Sequence, residues 1–124
     1  MRKYPANAVA DALETWPFEG AASDYKIVRG NPRASGRLDI GTGEGRRRLG
    51  IWSCTEGVFE CTEQGDELQT IIRGRVILTD ADGESIECVP GDSIYTRKGE
   101  RLRWDIRESV TKVFFTCNRD GVPD

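Results

Sequence analysis

ELQTIIRGRVILTDADGESIECVPGDSIYTRKG, residues 67–99, is the stretch on which the fold turns. Apolar residues return at every second position in short runs, the period of strands with one face buried. Turn-forming residues separate the runs at Gly74, Asp80-Ala81-Asp82-Gly83, Pro90-Gly91-Asp92 and Lys98-Gly99. Asp82-Gly83 is the sharpest of these signals, because glycine accepts positive φ at no steric cost and so closes tight hairpins. Working outward, the same pattern holds from about Arg48 to Cys117. It predicts strands over Leu49–Cys54, Val58–Thr62, Glu67–Arg73, Arg75–Thr79, Glu84–Val89, Ser93–Thr96, Leu102–Ile106 and Val110–Cys117, with further breaks at Gly57 and Gln64-Gly65-Asp66. Evenly spaced strands with no helix between them point to an all-β sandwich or small barrel.

Upstream the pattern fades. Residues 1 to about 45 read as irregular, with a helix-capable piece over Ala6–Trp16 that Pro17 closes. A strand over Tyr25–Arg29 follows, stopped by Gly30-Asn31-Pro32. The run Gly41-Thr42-Gly43-Glu44-Gly45 has the look of a phosphate loop but lacks the GxxxxGK[ST] arrangement, so it reads as a hairpin loop. The expected organisation is an N-terminal arm over residues 1–25 and one barrel over 26–124, with no internal repeat.

Composition narrows the function classes. A chain of 124 residues suits one domain. Charged residues make up 31% in mixed sign, with a formal net charge of -3. That balance offers no basic face for nucleic acid, and Arg46-Arg47-Arg48 reads as a solvated strand edge or loop. The basic start Met1-Arg2-Lys3 is not followed by the ~7–15 apolar residues of a signal peptide. Nor does any segment reach the ~20 apolar residues of a membrane span. A cytoplasmic setting without membrane attachment is expected, with thiols reduced. Cys54, Cys61, Cys88 and Cys117 form no CxxC pair and read as buried fillers.

Glu67 and Gly74, with six residues between them, followed by Gly91-Asp92 and Gly99, resemble the two halves of the cupin signature. Val76-Ile77-Leu78-Thr79 and the Asp82-Gly83 turn resemble the hairpin between them. Gly50-Ile51-Trp52, Gly57-Val58-Phe59, Trp104, Thr111-Lys112-Val113-Phe114 and Gly30-Asn31-Pro32-Arg33 are similar to a small-cupin branch. That branch includes ethanolamine-utilisation cupins and the cupin domains of ureidoglycine aminohydrolase-like proteins. The resemblance spans about residues 26–117 and implies a jelly-roll barrel that pairs as a homodimer. It also implies a metal held by histidines, and this chain has none. With a three-residue gap before Glu67, the first two histidine positions fall on Cys61 and Glu63; with four, on Glu60 and Thr62. The first alternative puts a thiol and a carboxylate on one strand face. The third histidine position falls near Leu102, which cannot ligate, and Arg97 replaces the proline usual before the second turn.

Without imidazole, Ser–His and Cys–His nucleophile pairs and the two-histidine iron triad are excluded. No cofactor and no metal are expected. Glu67 or Glu63 remain as general bases if burial raises a carboxyl towards neutrality, with Tyr95 as a general acid or orienting group. The competing structural reading of Glu67 is a buried ion pair with an arginine such as Arg73 or Arg103. Cys61, Glu67, Gln69, Leu102 and Trp104 are the expected ligand-facing set. Cys61 is a poor nucleophile, since neighbouring negative charge raises a thiol pKa. Trp52, Phe59, Trp104 and Phe115 recur at strand spacing and read as core, Trp104 being the best platform for a ligand. Three functions follow in order: a metal-free cupin binding a small polar metabolite; a metal-free isomerase/epimerase-like or ureide-hydrolase-like enzyme using Glu67; and a structural, partner-binding dimer.

Overall fold

The computed structural model describes residues 1–8 and 10–124. Among them are nine strands and no helix: β1 (Glu14–Thr15), β2 (Lys26–Gly30), β3 (Ala34–Ile40), β4 (Arg47–Cys54), β5 (Gly57–Thr62), β6 (Asp66–Thr79), β7 (Ser85–Cys88), β8 (Ser93–Thr96) and β9 (Arg101–Cys117). Every ladder between these strands is antiparallel. The all-β expectation holds.

β6 and β9 run side by side from Asp66↔Cys117 to Thr79↔Arg103 and serve both halves of the barrel. On its other edge β9 pairs with β5 through its first part and with β4 through its last part. On its other edge β6 takes β8 over residues 67–70 and β7 over residues 76–79. One half therefore carries β1-β3-β4-β9-β6-β8 and the other β2-β5-β9-β6-β7. The two halves meet face to face: the ring centroid of Trp52 on β4 lies 5.6 Å from that of Trp104 and 6.3 Å from that of Phe59. This is a jelly-roll barrel.

The bend between the halves explains why two expected strand pairs are single strands. The ladder shifts register three times between Ile71 and Val76. Gly74 sits in the shifted segment with φ of 85°, and a Cβ there would lie 2.2 Å from the Ser109 carbonyl oxygen. A glycine at such a bulge turns the strand without ending it, because pairing resumes on both sides. Residues 107–109 likewise continue β9 rather than break it.

The irregular reading of residues 1–45 is corrected by β3 and β1. The inward residues of β3, Ala34, Gly36 and Leu38, are small or lone apolar positions and give little periodic signal. Gly36 is bare because an indole fills its place: a Cβ there would lie 2.5 Å from the Trp16 ring. The helix expected over Ala6–Trp16 is absent from the described residues; Ala6 and Asn7 form a turn, and Val9 lies outside the described residues. Instead, Glu14 and Thr15 pair with Gly36 and Ser35, and the Trp16 amide donates to the Ala34 carbonyl at 3.0 Å. An isolated helix of that length is marginal, whereas a sheet edge offers backbone partners immediately.

Phe59, Ile71, Val76, Leu78, Leu102, Trp104, Ile106 and Val110 form the core with Cys54, Cys61 and Cys88. Cys117 and Phe115, expected inside, are exposed. On β9 the even-numbered residues point inward from Leu102 to Ile106 and again from Val110 to Thr116, so Phe115 and Cys117 point out. Among the described residues no helix is long and apolar enough to cross a membrane.

Two glycine substitutions separate packing from backbone strain. Gly83 has φ of 84° with nothing within 4 Å of a built Cβ, so Gly83→Ala should cost about 1 kcal/mol from conformation alone. Gly74→Ala adds a collision with backbone and should cost at least about 2 kcal/mol in urea unfolding.

A candidate site in the barrel cup

A cavity of about 190 Å³ opens between the half-sheets. Cys61 reaches it from β5, Glu63 from the β5–β6 turn and Glu67 from the start of β6. Arg48 and Trp52 come from β4, and Trp104 and Lys112 from β9. Trp16, Phe18 and Tyr25 of the N-terminal segment close one side. That segment is held by several bonds. The Thr62 amide donates to the Ser23 carbonyl at 2.7 Å, Gln64 Nε2 to the Ala22 carbonyl at 2.8 Å, and Arg101 Nη1 to the Asp24 carbonyl at 2.6 Å. Phe18 packs on Phe59 with centroids 4.6 Å apart.

At the polar end lies a buried ammonium. Lys112 is 6% exposed. Its Nζ donates to Gln69 Oε1 and lies 3.7 Å from Glu67 Oε1. It also sits 4.8 Å, 4.6 Å and 5.9 Å from the ring centroids of Trp52, Trp104 and Phe114. Fully buried Gln69 donates from Nε2 to Thr96 Oγ1 at 3.0 Å, which fixes its carbonyl end towards the lysine.

The carboxyls are unequal. Glu67 faces Lys112. Burial, then the charge of Glu67, pushes Glu63 up from its ordinary 4.5 to about 7, against the opposing pull of Lys112. Burial, then the Glu63 charge, pushes Cys61 up to about 12, which leaves its thiol protonated and unreactive. Among the described residues three buried polar side-chain atoms have no hydrogen-bond partner: Glu63 Oε1, Trp104 Nε1 and Arg48 Nε. All three belong to residues lining this one cavity.

Of the residues singled out in the sequence, Glu63, Glu67, Cys61 and Trp104 line the cup. Gln69 stands behind it as the partner of Lys112, and Leu102 is in the core, outside the lining. Tyr95 is elsewhere: it is 62% exposed and pairs with Leu68, which is also exposed, so both point away from the cavity. Glu67 finds a lysine and not the expected arginine, for Arg73 is exposed and Arg103 bonds Glu60 at 2.9 Å. Arg48, read as solvated, lines the cup. The sequence reading passed over Lys112, Arg48 and the N-terminal aromatics. Lys112 was discoverable, because it falls in phase with Trp104, Ile106, Val110 and Phe114, where alternation demands an inward side chain.

The cupin resemblance implies a metal held by histidines, and the residues here do not fit one. Neither alternative for the first two positions, Cys61 with Glu63 or Glu60 with Thr62, supplies a nitrogen donor, Leu102 cannot ligate, and a lysine ammonium is set against Glu67. Among the described residues no three Cys, Asp or Glu side chains gather as a metal-binding group. An ammonium beside the remaining carboxylate repels a divalent ion at close range.

The EutQ-like cupin domain matches residues 41–114. The chain belongs to the EutQ-like cupin family. No curated protein matches this cupin. Its structure resembles that of EutQ from Clostridium difficile, with TM-score 0.63 and 19% identity over 77% of this chain and 82% of that one. A DUF861-family protein of unknown function from Pseudomonas syringae pv. tomato gives TM-score 0.68 at 20% identity over 90% of this chain and 46% of that one. This cupin therefore spans about half of that protein. A protein of unknown function from Rhizobium leguminosarum gives TM-score 0.60 at 19% identity over 96% and 98%. At these identities the likeness is one of fold.

The raised Glu63 carboxyl carries a sign. Its folded value lies above its unfolded one, so its contribution to stability is complete below pH about 4.5 and is lost as pH rises through about 7. Urea unfolding should show stability falling across that window, and Glu63→Gln should flatten the fall.

Proposed function

We propose that this cupin binds a small, neutral-to-polar metabolite in its cup without a metal. The observation that carries the reading is the convergence of Glu63 Oε1, Trp104 Nε1 and Arg48 Nε, each buried without a partner, on one cavity. Unmet buried polar groups cost about 1–3 kcal/mol each, so a fold keeps three together where something supplies the missing bonds. The cavity, about 190 Å³, is smaller than the ~300–1,000 Å³ of drug-sized sites and suits a compact ligand. Aromatic walls at one end and hydrogen-bonding groups at the other suit a ligand with both an apolar face and polar edges.

A panel of small carboxylates, sugars and ureides, followed by thermal shift and by the fluorescence of Trp52 and Trp104, tests this. One class should stabilise the protein, and Trp104→Phe, which removes the unpaired N–H, should weaken that ligand about tenfold. A panel that shifts neither signal, or binding indifferent to Trp104→Phe and Glu63→Gln alike, would count against the reading.

One observation favours a second reading, acid–base catalysis. Glu63 sits near neutrality beside Glu67, the condition under which a carboxyl both gives and takes a proton at working pH. The proton carrier in that reading is Glu63, since Glu67 is engaged with Lys112. In deuterated water the wild-type protein should then exchange a carbon-bound hydrogen of the bound ligand, and folded Glu63→Gln should not.

A further inference from the structure

The donor set around Lys112 has a definite chemical preference. One carbonyl oxygen, one carboxylate oxygen and the faces of Trp52 and Trp104 surround its Nζ. Aromatic faces hold ammonium groups through the ring quadrupole, and they are not among the oxygen, nitrogen and sulfur donors that coordinate divalent metals. Gln69 is turned to suit a cation, because its amide nitrogen is committed to Thr96 and only its oxygen is free to face the ammonium.

We propose that this end of the cup is a binding site for a primary alkylammonium ion, which the chain fills with its own lysine. The stem of Lys112 is fixed on both sides, by Trp52 on β4 and Ile71 on β6, its cross-strand neighbours. The ammonium thus arrives at a set position as part of folding. Its charge is the one that Cys61, Glu63 and Glu67 all face. Set against a carboxylate and an amide oxygen, both acceptors, the group is held as a donor, so its role is electrostatic and not nucleophilic. The inference goes beyond metabolite binding and stands or falls independently of it.

Chemical rescue tests it. Lys112→Ala deletes a propylammonium group, leaving a vacancy of that shape and a cage with no cation. n-Propylammonium chloride should raise the Tm of the variant by about 3–6 °C and leave wild type unchanged. Sodium chloride at equal ionic strength and n-propanol should both fail to do so. Equal rescue by n-propanol would show a merely apolar hole and overturn the proposal. So would stoichiometric zinc or manganese in purified wild-type protein by native mass spectrometry.

If Lys112→Ala does not fold, Lys112→Met decides, because it keeps the volume and removes the charge. Glu63 and Glu67 then lose their cation, with Cys54, Cys61 and Glu100 as the other acidic neighbours and Arg48 and Arg101 as the remaining positive groups. The Tm of Lys112→Met should fall more steeply than that of wild type between pH 5 and pH 8, since Glu63, without the downward pull of Lys112, is ionised at greater cost. A profile no steeper than wild type's overturns the proposal.

Discussion

Keeping one ammonium charged inside a β-barrel imposes most of what surrounds it. Lys112 is buried on a central strand, where an unpaired charge would be strongly unfavourable. Glu67 supplies opposite charge, Gln69 an oriented oxygen, and three aromatic rings a favourable electrostatic surface. Gln69 must itself be satisfied in the interior, and Thr96 on β8 does that. A network running from β8 through β6 to β9 is thereby set by the needs of a single side chain. Partial loss of such a network is worse than its replacement by apolar residues, because each remaining member is left unmet.

The same charge sorts the acids. Glu67, against Lys112, fills the role of counter-ion. Glu63 is pushed up to about 7, by burial first and by the charge of Glu67 second. Two carboxyls of the same chemistry thus acquire different roles from environment alone. Trp104 joins the two functions of the cup: its face lies under the lysine and its N–H is one of the unmet donors.

The N-terminal segment turns a cleft into an enclosure. Trp16 lies on the bare surface of Gly36, and Phe18 and Tyr25 lean on Phe59. Because Arg101 and Gln64 hold the backbone of residues 22–24, this wall is fixed by polar contacts at the rim and by aromatic packing at depth. The ion pair of Lys112 and Glu67 is therefore buried, which strengthens the interactions within it.

Local chemistry alone determined the strand pattern from Arg48 to Cys117 and the hairpin at Asp82-Gly83, because period two and turn residues act within a few positions. It also determined the absence of imidazole chemistry. The inward direction of Lys112 was legible in the same alternation, but its partners were not. Glu67, Gln69 and Trp52 lie on two other strands, and only the folded ladders bring them to one nitrogen. The long strands β6 and β9 were likewise a tertiary outcome: Gly74 reads as a break in sequence and becomes a bend because β9 supplies hydrogen bonds on either side of it. β3 escaped notice for the converse reason, since the apolar group that covers Gly36 belongs to Trp16, a residue some distance away along the chain.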